Sequence, residues 1–362
     1  MTAVNGASLS GYGVLGRLID DSATVHRRLD QLTEQASSGR IADTFAGLGA
    51  GASTSLNLRP QINSLQTWQN NIDASDTRLQ VTQTAVTQIQ DIASNFNAQL
   101  NNLNGMSGSN VATIAASARS ALQQVAGLLD SQAGQEYVFA GQDSGNPPVP
   151  NPDNILNSGL FKQIASAVSG LAANGAAATT ASTLSIASSN AAGTSPFSAY
   201  MSQPASSLTA PIVQVGPNQF QSAGLLASSN TSVTSTGTST TGSYMRDVLR
   251  ALATIGSLDP SQVNAAGFGD LVQDTRTSLT GAINTMAADA GTLGNTQSAM
   301  DATKTQLQDV ATTLTAQVSG VEDVDMAATL SNLTSVQTQL QASYQLIAGV
   351  SSLSLAKYLS AA

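Results

Sequence analysis

The stretch LRPQINSLQTWQNNIDASDTRLQVTQTAVTQIQDIASNFNAQLNNL, residues 58–103, decides how this chain folds. Leu58, Leu65, Ile72, Leu79, Val86, Ala93 and Leu100 recur at every seventh position, with Trp68, Ile89, Phe96 and Leu103 on the three-residue offset. That repeat predicts a helix with a coiled-coil seam. After the break GMSGSN, Val111, Ala118 and Val125 alternate with Ile114, Ala121 and Leu128. A shorter helix is expected there, folding back antiparallel on the first through a short turn.

The same spacing returns far along the chain. Val272, Leu279, Met286, Leu293, Met300, Leu307, Leu314 and Val321 hold it with no proline between them, which predicts one helix of about 75 Å at 1.5 Å per residue. A helix does not bury its own stripe, so the two long segments are expected to pack on each other. The intrachain seam would set Leu65, Ile72, Leu79 and Val86 against Leu279, Met286, Leu293, Met300, Leu307 and Leu314.

Both ends carry shorter versions of the pattern: Leu15, Leu18, Val25, Leu29 and Leu32 at one, and Leu333, Val336, Leu340, Ile347 and Val350, continuing to Leu353 and Leu355, at the other. Isolated helices owe most of their stability to packing of an apolar face. Each end therefore needs a partner, either the other end or a neighbouring subunit. These seams are poor in the flanking charge pairs that fix partners in soluble coiled coils and rich in Ala, Ser, Thr and Gln, which suits lateral packing of many copies.

The middle differs, with no charged residue from Gln163 to Met245. Pieces such as TLSI and PIVQV among Gly, Pro, Ser and Thr predict a small β-rich or irregular insert. In QEYVFAGQDSGNPPVPNP, residues 135–152, two glycines and four prolines end the helical arm near Ala140. TSVTSTGTSTTGSY marks the return. The predicted fold is mainly α: a long antiparallel coiled-coil-like bundle of N- and C-terminal arms with a small β-rich or irregular inserted domain. Its parts are a terminal helix at 1–45, bundle at 46–140, insert at 141–241, bundle at 242–321 and terminal helix at 322–362.

Charge and composition exclude several functions. Only 10% of residues are charged, against about 25% in an average soluble protein. The net charge of −9 and pI near 4.4, with no basic stripe, argue against nucleic-acid binding. Cysteine is absent, which excludes disulfides and thiolate chemistry. MTAVNGASLSGYGVLGRL lacks the charged and apolar regions of a secretory signal, and no window nears the length of a membrane span. Export would then use a route without a cleaved signal, and no membrane insertion is expected.

No catalytic, cofactor or metal site emerges. His26 is the only histidine and lies beside a seam position with no second ligand or nucleophile motif, so it reads as a solvated helix-surface residue. Glu322, Asp323 and Asp325 have the chemistry for a hard cation but precede the last apolar series, where capping and dipole compensation explain them. Gly47, Gly49 and Gly51 follow no strand and read as a flexible joint rather than a phosphate loop. TSTGTSTTGS reads as a flexible return strand before it reads as a site of O-glycosylation.

Several stretches resemble the bacterial flagellin superfamily. LDQLTEQASSGRIAD at 29–43 is similar to its L-x-x-L-x-x-x-[LA]-S-[ST]-G-x-[RK]-I segment, and WQNNIDASDTRLQVTQTAVTQIQDI at 68–92 to its N-I-x-x-[AS]-x-x-x-L helix. YVFAGQDSGNPPV at 137–149 and VSSLSLAKYL at 350–359 resemble the hook-associated, FlgL-type junction branch. The hinge ADTFAGLGAGAS departs from the family's usual Asn, Ser and paired Asp. The resemblance implies a structural flagellar subunit, not an enzyme, joining hook to filament through its terminal helices. It further implies export through the flagellar type III apparatus, an extracellular place on the flagellum, and an export chaperone at the C-terminal helix. Partners would be other axial proteins: the hook-side junction protein, flagellin or its own copies. A flagellin forming the filament shares this plan, and a secreted coiled-coil effector or adhesin is the third reading.

Overall fold

The computed structural model describes residues 8–101, 103, 107–230 and 239–359, without the side chains of 8–15 and 350–359. The side chains of Leu15, Val350, Leu353 and Leu355, and most of the return segment TSVTSTGTSTTGSY, lie outside what is described. The long helices are α1 (Ser8–Ser38), α2 (Ala52–Asn101), α3 (Gly108–Leu129), α7 (Phe268–Glu322) and α8 (Met326–Leu359). Between α3 and α7 stand α4 (Gly159–Ser169), α5 (Leu171–Ser188) and α6 (Tyr244–Gly256), with two hairpins, β1 (Gln132–Ala133) with β2 (Glu136–Tyr137) and β3 (Ile212–Gly216) with β4 (Gln219–Ser222). The chain divides into two compact units, one of Met1–Gln66 with Asp309–Ala362, the other Thr67–Gln308.

In the larger unit the seam residues form the core. Ile72, Leu79, Val86, Ala93 and Leu100 on α2, and Val272, Leu279, Met286, Leu293 and Met300 on α7, are all 5% exposed or less. Burying each large side chain of this kind contributes about 1.5–3 kcal/mol. Cross-links give the direction. Asn97 Nδ2 donates to Thr280 Oγ1 at 3.3 Å, Gln297 Nε2 to Asp76 Oδ1 at 3.3 Å, and Lys304 pairs with Asp73. As numbers fall along α2 they rise along α7, so the two helices are antiparallel. Leu307 is also buried.

The smaller unit continues the seams with looser burial. Leu65 on α2 is buried, Leu58 half-buried, and on α7 Leu314 is only half-buried while Val318 is buried. The buried side of α7 therefore moves from Leu307 to Val318 in a step of eleven, the spacing that keeps a straight helix on one face better than a second seven does.

α3 differs from expectation in two respects. Val111, Ala118, Ala121 and Val125 are buried, but Ile114 and Leu128 are half-buried, and Ala115, Leu122 and Leu129 take their place. The cause is a second set of neighbours, because α3 also packs on α6 and on the 3-10 turn Pro152–Asn157, which widens its buried arc. The helix also stops at Leu129 rather than near Ala140. Gly134, at φ +66°, makes the turn of the β1–β2 hairpin that follows.

The insert is more helical than its composition indicates. TLSI lies inside α5, not in a strand, because Thr179, Thr183 and Ala187 repeat at four-residue spacing and turn one face inward. PIVQV does become a strand, β3, paired antiparallel with β4 through Ile212 opposite Ser222. Strand structure is confined to the two small hairpins among the described residues, and the mainly helical plan with a small inserted domain stands. At its base all thirteen residues of α6 are buried.

Candidate assembly interface

The terminal helices belong to the smaller unit and pair with each other. α1 ends at Gly39, whose φ of +71° is the left-handed C-terminal conformation that glycine adopts without strain. Arg40 and Asp323 then form an isolated antiparallel bridge, flanked by Ile41 N donating to the Glu322 carbonyl at 2.7 Å and Val324 N to the Gly39 carbonyl at 3.0 Å. α1 runs into this bridge and α8 leaves from it, and the two helices touch, so they run antiparallel.

Their inward side chains are the heptad residues. Leu32, Val336 and Leu340 are buried together with Ser22 and Thr329, while Leu18, Val25, Leu29, Leu333 and Ile347 are half-buried. No charged residue occurs from Met326 to Ala356, although most of the described surface of α8 faces outward. That outer surface carries Leu330, Tyr344 and Leu346, the last 60% exposed, and α1 adds Ile19. A helix surface that is polar, uncharged and studded with apolar side chains has little electrostatic cost when covered by another copy.

A polar clasp fixes the point where α7 gives way to α8. Glu322, the last residue of α7, is 7% exposed; it accepts from Arg59 Nε at 2.8 Å, from Arg59 Nη2, and from Ser55 Oγ. These hydrogen bonds, Arg59 first and Ser55 next, hold its carboxyl down at about 2. Asp325 Oδ1 accepts from Ala327 N at 2.9 Å and Ala328 N at 3.1 Å, capping α8. The acidic trio is thus divided among an ion pair, a backbone bridge and a cap. Capping describes Asp325; for Glu322 the reading is corrected, because Arg59, one position beyond a seam leucine, had no sequence signal as its partner. Among the described residues no cluster of three potential metal ligands exists.

The remaining candidates fall into plain roles. His26 lies 3.7 Å from the Asp30 carboxylate, both exposed on one face of α1. The segment with Gly47, Gly49 and Gly51 is a folded 3-10 turn, Phe45–Gly51, rather than an open joint. Gly49 turns it at φ +54°, and a Cβ at Gly51 would sit 3.0 Å from the Val321 Cβ.

In the larger unit the YVFAG stretch ties the insert to the bundle. Val138, Phe139 and Ala140 are 1% exposed or less. Arg78 of α2 donates to Glu136 at 3.0 Å and to the Tyr137 carbonyl at 3.1 Å, and Ala227 N donates to the Phe139 carbonyl at 3.0 Å. Gly141, at φ +65°, leaves no room for a side chain, since a Cβ would meet Leu226 Cδ2 at 2.7 Å and the Thr209 carbonyl oxygen at 2.9 Å. Asp130, just past α3, accepts from Val149 N at 2.9 Å, and burial pushes its carboxyl up to about 6.

Two family models match the chain and together span more than half of it. Residues 22–144 match the bacterial flagellin N-terminal helical region and residues 277–359 the bacterial flagellin C-terminal helical region. Among curated proteins none matches. The matched regions take in α2, α3, α8 and most of α7, and leave the insert unmatched.

Proposed function

The chain belongs to the bacterial flagellin superfamily and is a structural subunit of the flagellum, and from that premise we propose that it serves at the junction between hook and filament. The observation that carries the proposal is the clasp at residues 137–149. Its sequence resembles the junction branch, and here both its ends, Val138–Gly141 and Pro148–Val149, are buried and held by Arg78, Phe139, Gly141 and Asp130. The VSSLSLAKYL terminus supports the same reading by resemblance.

The terminal helices supply the assembly surface in this proposal. The inward seam of Leu18, Val25, Leu29, Leu32, Leu333, Val336, Leu340 and Ile347 pairs α1 with α8, and the uncharged outside of α8 meets neighbouring axial subunits. The same uncharged helix offers an export chaperone an apolar strip to cover before assembly. A filament-forming role is the second reading, favoured by one specific feature: a face without charge pairs has nothing to bar its own copies.

Immunogold electron microscopy of intact cells, with antibody to the insert, tests the proposal. Gold confined to the point where hook meets filament is the expected result. Label along the whole filament would make the chain a filament flagellin, and absence of flagellar label would favour a secreted coiled-coil protein.

A further inference from the structure

Arg246 is a cation almost withdrawn from water, with no ion-pair partner among the described residues. It is 7% exposed, in the first turn of α6. Its Nε donates to the Ser228 carbonyl at 2.9 Å, Nη1 to the carbonyls of Ala187 at 2.9 Å and Ser189 at 3.4 Å, and Nη2 to Asn190 Oδ1 at 2.6 Å. The Phe197 ring lies 5.0 Å below the guanidinium. All these partners are neutral, and the charged side chains nearest in sequence look elsewhere. Asp247 accepts from Thr241 N and Thr240 Oγ1, and Arg250 pairs with Asp274. No carboxylate forms an ion pair with Arg246 among the described residues, and the sequence from Gln163 to Met245 contains no charged residue.

A guanidinium has five N–H groups, and these contacts use four. The side chain forms part of the wall of a cavity of about 160 Å³ that opens to solvent and is otherwise lined by uncharged groups, among them Asn190, Gln203, Ser229, Thr241 and Ser243. The cavity also takes in Gly242 and Ser243, which lead into the N-terminus of α6, so the helix dipole adds positive potential. A buried charge without a counter-ion is costly, and a free donor with room beside it is what a bound anion would use.

We propose that this cavity binds a small oxyanion, a phosphate, sulfate or carboxylate group, with Arg246 as its charge partner and the surrounding hydroxyl and amide groups as its further donors. The site lies in the larger unit, between the end of the insert and the first turn of α6, and is independent of the junction role.

Thermal unfolding of the full chain, followed by fluorescence of its single tryptophan, tests this, since Trp68 belongs to the same compact unit as the cavity. Inorganic phosphate and sulfate are titrated against sodium chloride at matched ionic strength, with glucuronate as the carboxylate probe. The expected result is a saturable rise in Tm of about 2–4 °C for at least one oxyanion at several times its Kd. Ser229→Asp leaves Arg246 in place and adds a fixed carboxylate to the cavity wall. It should raise Tm in chloride alone and abolish the oxyanion response. Equal melting in all salts would overturn the proposal. So would an oxyanion response that survives in Ser229→Asp, because that would be the general stabilisation excluded salts give any protein.

Discussion

Asp130 shows how one residue makes the clasp depend on pH. Burial raises its folded carboxyl to about 6 from the ordinary 3.8, so the neutral form is favoured by folding. The stabilisation is complete below the unfolded value, near pH 4, and is lost as pH rises through 6. At neutral pH the ionised group is a burden that the Val149 amide relieves in part. Asp130→Asn keeps an acceptor for that amide and removes the charge. It should stabilise the protein at pH 7.5 by about 1 kcal/mol, a figure reduced for the group's partial exposure, and the gain should vanish by pH 4. Melts at both pH values check this; an equal gain at each would assign the effect to packing. Gly141 is the second residue with a sharp expectation. Gly141→Ala combines a left-handed backbone with contact against Leu226 and the Thr209 carbonyl, and should cost about 3 kcal/mol. Gly134→Ala has a similar φ in open space and should cost about 1 kcal/mol. Denaturant melts of the pair separate steric contact from backbone strain.

At the scale of elements, what the sequence made legible was what repetition could encode. The seams of α2 and α7 were readable because a seven-residue apolar period has one structural solution, and the structure buries Ile72, Leu79, Leu279 and Met286 completely. Pairings between different kinds of residue were not readable. Nothing local joins Ser55 and Arg59 to Glu322, since the clasp exists only after α2 and α7 are side by side. The helices α4 and α5 escaped notice for another reason: α4 has one charge, Lys162, and α5 none, so most of their polar side chains are Ser, Thr, Asn and Gln, several of which also mark loops. The clasp yields a prediction. Glu322→Gln deprives Arg59 of its charge partner and should cost about 1–2 kcal/mol at neutral pH. The wild-type advantage is present above the ordinary glutamate value of 4.5 and fades as pH falls toward 2. Acid unfolding followed by circular dichroism measures it, and a mutant that loses nothing at pH 7 would show the pair to be incidental.

The two units are unequal in what holds them, and this bears on how the whole molecule assembles. Among the described residues, the larger unit owns most of the buried apolar side chains, many of them fully excluded from water. The smaller has only Leu32, Leu65, Val318, Val336 and Leu340, each 4–9% exposed. Two long helices joined by so thin a seam sit at the low end of local stability and open before the rest. Covering the uncharged outside of α8 with another subunit would add the apolar burial that the pair lacks, so the proposed assembly would also order the ends. Limited proteolysis of the free monomer should therefore cut first within α1 and α8 and leave a resistant fragment containing 67–308, and the same sites should be protected in assembled flagella. Leu340→Asp sharpens the test. It places a charge in the thin seam at a cost of several kcal/mol, which should speed cleavage of α1 and α8 and block incorporation, while the Trp68 melt of the larger unit stays where it was. Ends that resist protease in the monomer, or normal motility of cells carrying Leu340→Asp, would separate assembly from the pairing of α1 with α8.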